Sequence, residues 1–424
     1  MSINERLNIT TLLLALSTLA ATSGCAVATE SDEVTETQDE ALKVPVDGTL
    51  VLVPLPKPTR PFPRLNLEQI VELSAGKDHT CARKLNGKVY CWGKTSYGQA
   101  GPANTNCYQG VPCVTQPTLV GIVANQIELG YDFSCAVDTA GQGLCWGANH
   151  NMQLGNGTWS QTANFPANAQ PIKFNGAPLN LATISAGDHS ACAITAGARN
   201  VLCWGMAGWG SYPSNAGNPN PQPLLNNGGI LLDRIDAIST WFAGACITFN
   251  LTGGLGTENY CWVGATASGR SNLNYAFDSS ATRISTQSTS VCADKANGTV
   301  QCFGSNWQGE LGNGTTTNSS TPVTVSAGGV ALHGVSMGEN HACALDAGGF
   351  PYCWGNLGNP GGSTTAVAVS TPVPLSSLAS GDLHTCGIGS DGHIYCWGNN
   401  TYGQIGNGTW QNANLVATQL TDPL

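Results

Sequence analysis

Charge is scarce in this chain. Only 10% of its 424 residues are Asp, Glu, Lys or Arg, and 16 basic residues face 26 acidic ones, for a formal net charge of −10. A phosphate-binding surface needs clustered Lys and Arg, and no such cluster occurs, which argues against a nucleic-acid partner. Long apolar runs are lacking too: the one at the N-terminus, Ile9 to Ala21, is too short to span a bilayer. No nucleophile elbow, phosphate loop, zinc-protease helix or pair of catalytic carboxylates stands in its expected context, although carboxylates from distant segments could still converge in space. The reading is therefore of a non-enzyme with no cofactor.

What the chain has in quantity is Gly, 53 of them, with abundant Asn, Ser and Thr. That composition suits many short strands joined by tight turns, so the expected class is all-β. Seventeen cysteines suit an exported protein whose disulfides persist. The N-terminus agrees: Arg6, the apolar run and then Thr22-Ser23-Gly24-Cys25 read as a secretory signal over residues 1–24. A Cys directly after small residues resembles the lipobox of bacterial lipoproteins, although Thr22 stands where Leu is usual. Cys25 would be the lipidated N-terminus, and the sixteen other cysteines could then pair completely; ordinary signal cleavage with Cys25 incidental is the alternative. The expected location is the cell envelope, held by lipid at the outer membrane, or secretion. Residues 25–65, acidic and then Pro-rich, read as an extended tether.

Residues 66–424 repeat. Cysteines pair off as Cys81 with Cys91, Cys135 with Cys145, Cys192 with Cys203, Cys246 with Cys261, Cys292 with Cys302, Cys343 with Cys353, and Cys386 with Cys396. The period is about 51 residues, in the range of propeller blades. Most pairs leave nine residues between them, which suits a hairpin with a three- or five-residue loop. Gly87, Gly141, Gly298, Gly349 and Gly392 stand where that loop needs a positive φ. Directly opposed residues of an antiparallel pair can come within disulfide range, so each pair can staple its own hairpin. Cys107 with Cys113 would tie an inserted loop of the first repeat. Zinc is disfavoured, because structural zinc knuckles use gaps of two to four residues.

In the last repeat, Gly381-Asp382-Leu383-His384-Thr385-Cys386, Asp391-Gly392-His393-Ile394-Tyr395-Cys396-Trp397-Gly398 and Tyr402-Gly403-Gln404-Ile405-Gly406-Asn407-Gly408-Thr409 resemble the RCC1-like repeat family, in particular its cysteine-bearing secreted bacterial branch. Similar tails stand at Gln153-Leu154-Gly155-Asn156-Gly157-Thr158 and Gly309-Glu310-Leu311-Gly312-Asn313-Gly314-Thr315. The resemblance implies a seven-bladed β-propeller of RCC1-like repeats with one disulfide inside each blade. The middle repeats depart from the pattern, with Trp241 and Gln287 for the leading Gly, Arg199 at the turn and Phe303 for Trp. The ring is expected to close by sharing one blade between Ile70–Gly76 and Asn414–Leu420.

His79, His341 and His384, two residues before a Cys, and His189, three before, recur with the repeat and read as structural. So do the Trp residues after each second Cys, expected between blades: Trp92, Trp146, Trp204, Trp262, Trp354 and Trp397. Asn-Gly-Thr triplets read as turns before they read as glycosylation acceptors. Aromatics taken as outside the repeat pattern are the candidate binding residues: Tyr108, Trp159, Trp209, Tyr212, Trp241, Phe242, Tyr275, Trp307 and Trp410. Lys57 to Lys94 holds eight basic residues against three acidic, whereas no Lys or Arg and six acids follow Lys295, and these regions should meet in the ring.

The expected function is a monomeric, non-enzymatic scaffold that binds a protein or glycan and touches the membrane only through its lipid; proteins of this shape include secreted β-lactamase inhibitors. Guanine-nucleotide exchange, which eukaryotic relatives perform, and a carbohydrate-active lyase or hydrolase are the alternatives.

Overall fold

The structure is a computed structural model that describes residues 40–43, 51–54 and 66–424, the last stretch apart from 165, 167–168, 207–217, 224–234, 242–243, 251–256, 264–273, 358–361, 411–413 and 421–424. Cys25 and the signal segment lie outside the described residues. Residues 1–65 and 66–424 are separate compact units. In the first, Glu40–Lys43 pairs antiparallel with Val51–Pro54, where the sequence suggested only extended tether. The β-prone run Val51-Leu52-Val53 suits that pairing.

The second unit is an all-β propeller. Its described strands form five four-stranded antiparallel sheets and one nine-stranded sheet in which two blades are joined through one long strand, an arrangement compatible with seven blades, each from one contiguous stretch of chain. Blade one comprises Ile70–Ala75, His79–Lys84, Lys88–Lys94 and the first part of Pro112–Leu129. That last strand then crosses over, and its second part, Ala124–Leu129, is the innermost strand of blade two. Blade seven comprises Leu375–Ser380, His384–Gly389, Ile394–Gly398 and Asn414–Gln419. No blade is shared between the two ends, which corrects the expected closure: Asn414–Gln419 completes blade seven beside Ile394–Gly398, while Ile70–Ala75 opens blade one beside His79–Lys84.

Register follows from the cysteines. In all seven blades the paired cysteines are direct partners on neighbouring strands, with Cα atoms 4.1 Å apart. Cys107–Cys113 is the eighth disulfide. The hairpin beyond the pair turns on a left-handed residue in the six blades whose hairpin loop is described, such as Gly87 at φ 83° or Gly392 at φ 84°. In blade three that position is Arg199, φ 55°, whose guanidinium bonds Ile235 O and the Asp236 carboxylate.

Adjacent blades interlock through the repeated motif. Trp92, Trp146, Trp204 and Trp354 are fully buried, and each donates Nε1–H to a backbone carbonyl in the tail of the preceding blade, at Gln404, Gln99, Gln153 and Glu310. In three of these four interfaces the tail Gly two residues on lies against the same indole. A Cβ on Gly155, Gly312 or Gly406 would come within 2.6–2.8 Å of Trp204, Trp354 or Trp92. Asn149, Asn306 and Asn400 hold each tail by accepting from Leu154, Leu311 and Ile405 N, and the Asn of each Asn-Gly-Thr closes a turn on its Thr N. Trp262 is in strand, but its side chain lies outside the described residues.

Candidate functional site at the channel mouth

The innermost strands of all seven blades surround a central channel holding a cavity of about 230 Å³. Serines line it and stitch neighbouring strands: Ser74, Ser185, Ser285 and Ser336 accept from Leu129, Thr240, Met337 and Ser380 N on the next blade. Glu128 lines this cavity, and burial, then the nearby Glu72 charge, push its carboxyl up to about 8.

One mouth of the channel is built from a single repeat position, the residue after the leading Gly of each blade. Lys77, Tyr131, Asp188, Glu339 and Asp382 occupy it in blades one, two, three, six and seven. Backbone bonds tie them around the opening, Asp382 N to Lys77 O at 3.1 Å, Lys77 N to Tyr131 O at 3.3 Å and Tyr131 N to Asp188 O at 3.2 Å. The Lys77 ammonium lies 3.8 Å above the Tyr131 ring and 3.9 Å from Asp382. Just behind, Lys94 sits 3.2 Å from Asp132 and 4.0 Å from Asp78. Acid outnumbers base here. Burial, then the Glu339 carboxylate, push Asp188 up to about 7 and Asp382 up to about 9; burial also lifts Asp78 to about 6 despite Lys94 and Lys77.

From this mouth a line of rings runs outward over blades one to three. Tyr131 contacts His189 at 5.1 Å between centroids, His189 contacts His150 at 6.2 Å, and His150 contacts Tyr97 at 5.3 Å. Trp159, 53% exposed, donates Nε1–H to His150 O and continues the line to the surface. Burial, then His150, lower the His189 pKa.

Three other histidines have a different use. His79 Nε2 meets Ser134 Oγ at 2.9 Å, His341 Nε2 meets Thr385 Oγ1 at 2.7 Å and His384 Nε2 meets Thr80 Oγ1 at 2.7 Å, each bond crossing to the next blade. All three are fully buried, and desolvation drives their pKa values down to about 3, 4 and 3, so they work as neutral struts between blades.

Of the candidate binding residues, Trp159, Trp307 and Trp410 are exposed, Trp307 at 73%. All three lie in tail segments that leave the third strand of their blades, after Cys145-Trp146-Gly147, Cys302-Phe303-Gly304 and Cys396-Trp397-Gly398, on the mouth side. Trp159 and Trp410 each follow Asn-Gly-Thr, so they recur in phase and are repeat residues after all. Tyr108 is exposed in the inserted loop of blade one. Trp209, Tyr212 and Phe242 lie outside the described residues, and Trp241 and Tyr275 are in strand with side chains not described. Sequence reasoning missed the mouth, although aligning the repeats on the leading Gly places all its residues in one column. The predicted meeting of basic and acidic ends occurs at Lys77 and Asp382, while Arg83 and Lys84 pair locally with Glu72 and Glu68.

Residues 70–99 and 376–404 match the family model for the regulator of chromosome condensation (RCC1) repeat. The chain is similar to the ultraviolet-B receptor UVR8 of Arabidopsis thaliana, 30% identical over 207 residues covering 46% of this chain and 44% of the receptor. It is also similar to the probable E3 ubiquitin-protein ligase HERC4 of Homo sapiens, 29% identical over 262 residues, 61% of this chain and 19% of the ligase. The chain thus spans less than half the length of the curated relatives it matches. Among solved structures, that of human WBSCR16 superposes with a TM-score of 0.65 at 14% identity, over 79% of this chain and 95% of that one, a likeness of fold.

Proposed function

We propose that this RCC1-like propeller is a non-enzymatic binding scaffold of the bacterial cell envelope, exported and anchored through lipid on Cys25, that presents its mouth face to a protein or glycan. The observation that carries this reading is the exposure of Trp159, Trp307 and Trp410 on that face, around an opening lined with charge. Large aromatic side chains held by rigid tails give contact area at little cost in ordering. Inhibition of a secreted enzyme is a special case of the same geometry. Eight disulfides suit an oxidising compartment, and among the described residues no helix is long and apolar enough to cross a membrane.

A carbohydrate-active reading is the alternative with an observation in its favour. Glycoside hydrolysis needs one carboxyl protonated and another ionised, and burial separates Asp382 from Asp78 in that way.

The test is capture by the oxidised full chain from native envelope and secreted fractions, comparing wild type with a Trp159→Ala, Trp307→Ala, Trp410→Ala variant. Phe350→Ala, exposed at a hairpin tip on the opposite face, is the control. A saturable partner lost only in the triple variant supports the scaffold. Degradation of added polysaccharide, abolished by Asp382→Asn, replaces it with the enzyme.

A further inference from the structure

The charges at the mouth do not balance. Lys94 is engaged by Asp132 and Asp78, and Lys77 by Asp382 and the Tyr131 ring. No cation pairs with Asp188 among the described residues, although Asp188 is only 8% exposed and its Oδ1 is buried without a hydrogen-bond donor. Asp382, also 8% exposed, has its Oδ1 in the same condition. Glu339, on the blade beside Asp382, adds a third carboxyl that reaches Asp382 by a side-chain hydrogen bond, and its charge is felt at both aspartates. Buried acceptor oxygens without donors are costly, and a ligand that brings donors would relieve that cost.

We infer that the channel mouth is a binding site for an organic cation, an alkylammonium or guanidinium group, received by Asp188, Glu339 and Asp382 beside the face of Tyr131. Lys77 shows the chemistry already at work, since its own ammonium rests on that ring and against Asp382. A metal ion fits less well. Among the described residues no three His, Cys, Asp or Glu side chains are gathered closely enough to hold one, whereas several N–H donors on one cation can reach oxygens spread over three blades. Burial first, and then Glu339, raises the Asp188 and Asp382 carboxyls, and the Lys77 ammonium only partly offsets this. The inference rests on the scaffold reading and specifies the chemistry its partner brings to the opening.

Calorimetric titration of the oxidised full chain at low ionic strength tests it, with two probes: 1,4-diaminobutane, and a blocked Gly-Gly-Arg-Gly-Gly peptide with its citrulline counterpart as the neutral control. Binding of the diamine alone identifies a free amine as ligand, and binding of the Arg peptide identifies a side chain of a protein partner. Asp188→Asn with Glu339→Gln should weaken binding by about tenfold or more, while Asp32→Asn with Glu33→Gln, removing equal charge from the N-terminal segment, should change it less than about twofold. Lys77→Met, which removes the resident ammonium, should tighten binding several-fold, an effect that general attraction to an acidic protein does not produce. If the double variant fails to fold, the Lys77→Met result decides. The inference is overturned if neither probe binds, if the peptide and its citrulline form bind alike without diamine binding, or if Lys77→Met weakens binding. Trp-dependent capture of a partner without any cation binding would discard this inference and keep the scaffold.

Discussion

The His384 imidazole and the Thr80 hydroxyl are 304 residues apart in the chain and 2.7 Å apart in the fold. They join blade seven to blade one with the same bond by which His79 joins blade one to blade two through Ser134. The seam is thus chemically an ordinary blade interface, and the glycines agree: a Cβ on Gly381 would meet Gly76 O at 2.3 Å, just as one on Gly76 would meet Gly130 O at 2.3 Å. Thr80→Val keeps the volume but leaves a buried ring nitrogen unpaired, which should cost about 1–3 kcal/mol. Ser134→Ala should cost a similar amount, both read as a loss of urea midpoint. A neutral Thr80→Val beside a costly Ser134→Ala would mean that the seam does not limit stability.

Alanine at Gly406 is expected to destabilise far more than alanine at Gly392. Both glycines have positive φ, 78° and 84°, so both substitutions pay roughly 1–2 kcal/mol for a left-handed L-residue. At Gly392 nothing lies within 4 Å of the new Cβ, whereas at Gly406 the Trp92 Nε1 is 2.7 Å away and the indole is fully buried. Overpacking adds about 1–3 kcal/mol there. Thermal midpoints of the two variants check this, and equal shifts would mean that the tail does not press on the tryptophan.

Replacing Cys343 and Cys353 together by Ala should lower stability by about 2–3 kcal/mol, the chain-entropy value for so short a loop. The pair lies between direct partners in a five-rung ladder, so the blade should keep its register without it. Far-ultraviolet circular dichroism unchanged from wild type, with a lower urea midpoint, is the expected result. Loss of the β spectrum would make the disulfide a condition of folding rather than a staple.

The parts of this fold that were readable from sequence are those encoded within one repeat. Cys81 and Cys91 carry their own register, because a hairpin with Gly87 at its turn can oppose them in only one way, and Trp92 announces burial by recurring in phase. A repeat has a period but no phase, however. Both flanking strands of each unit are β-prone and polar, so Ile70–Gly76 and Asn414–Leu420 read equally well as halves of one blade or as the edges of two. Pairing of Asn414–Gln419 with Ile394–Gly398 settles the frame. The mouth was hidden for a different reason. Lys77, Asp188 and Asp382 are single residues in separate repeats with unlike chemistry, and only closure of the ring makes them neighbours.

Stability should fall as pH rises from about 6.5 to about 9. His79, His341 and His384 stay neutral in the fold, with pKa values of about 3, 4 and 3, whereas the unfolded chain protonates them near about 6.5. Below that pH the unfolded state binds more protons at these sites, so acid destabilises through them, and above it they contribute no further dependence. Asp188, Glu128 and Asp382 act in the opposite sense, with folded values of about 7, 8 and 9 against roughly 4 when unfolded. The native state keeps protons that the unfolded chain has released, a stabilisation fully present below about pH 4 and lost as pH climbs through the folded values. The two sets oppose each other between about pH 4 and 6.5, and above that only the carboxyls remain. Urea unfolding at pH 6.5 and pH 9 should therefore show a lower midpoint at the higher pH, and Glu128→Gln, permanently neutral, should shrink the difference. A flat or rising profile would mean that the channel carboxyls are ionised in the native state at neutral pH, and the charge shortage at the mouth would then be met by cations already bound.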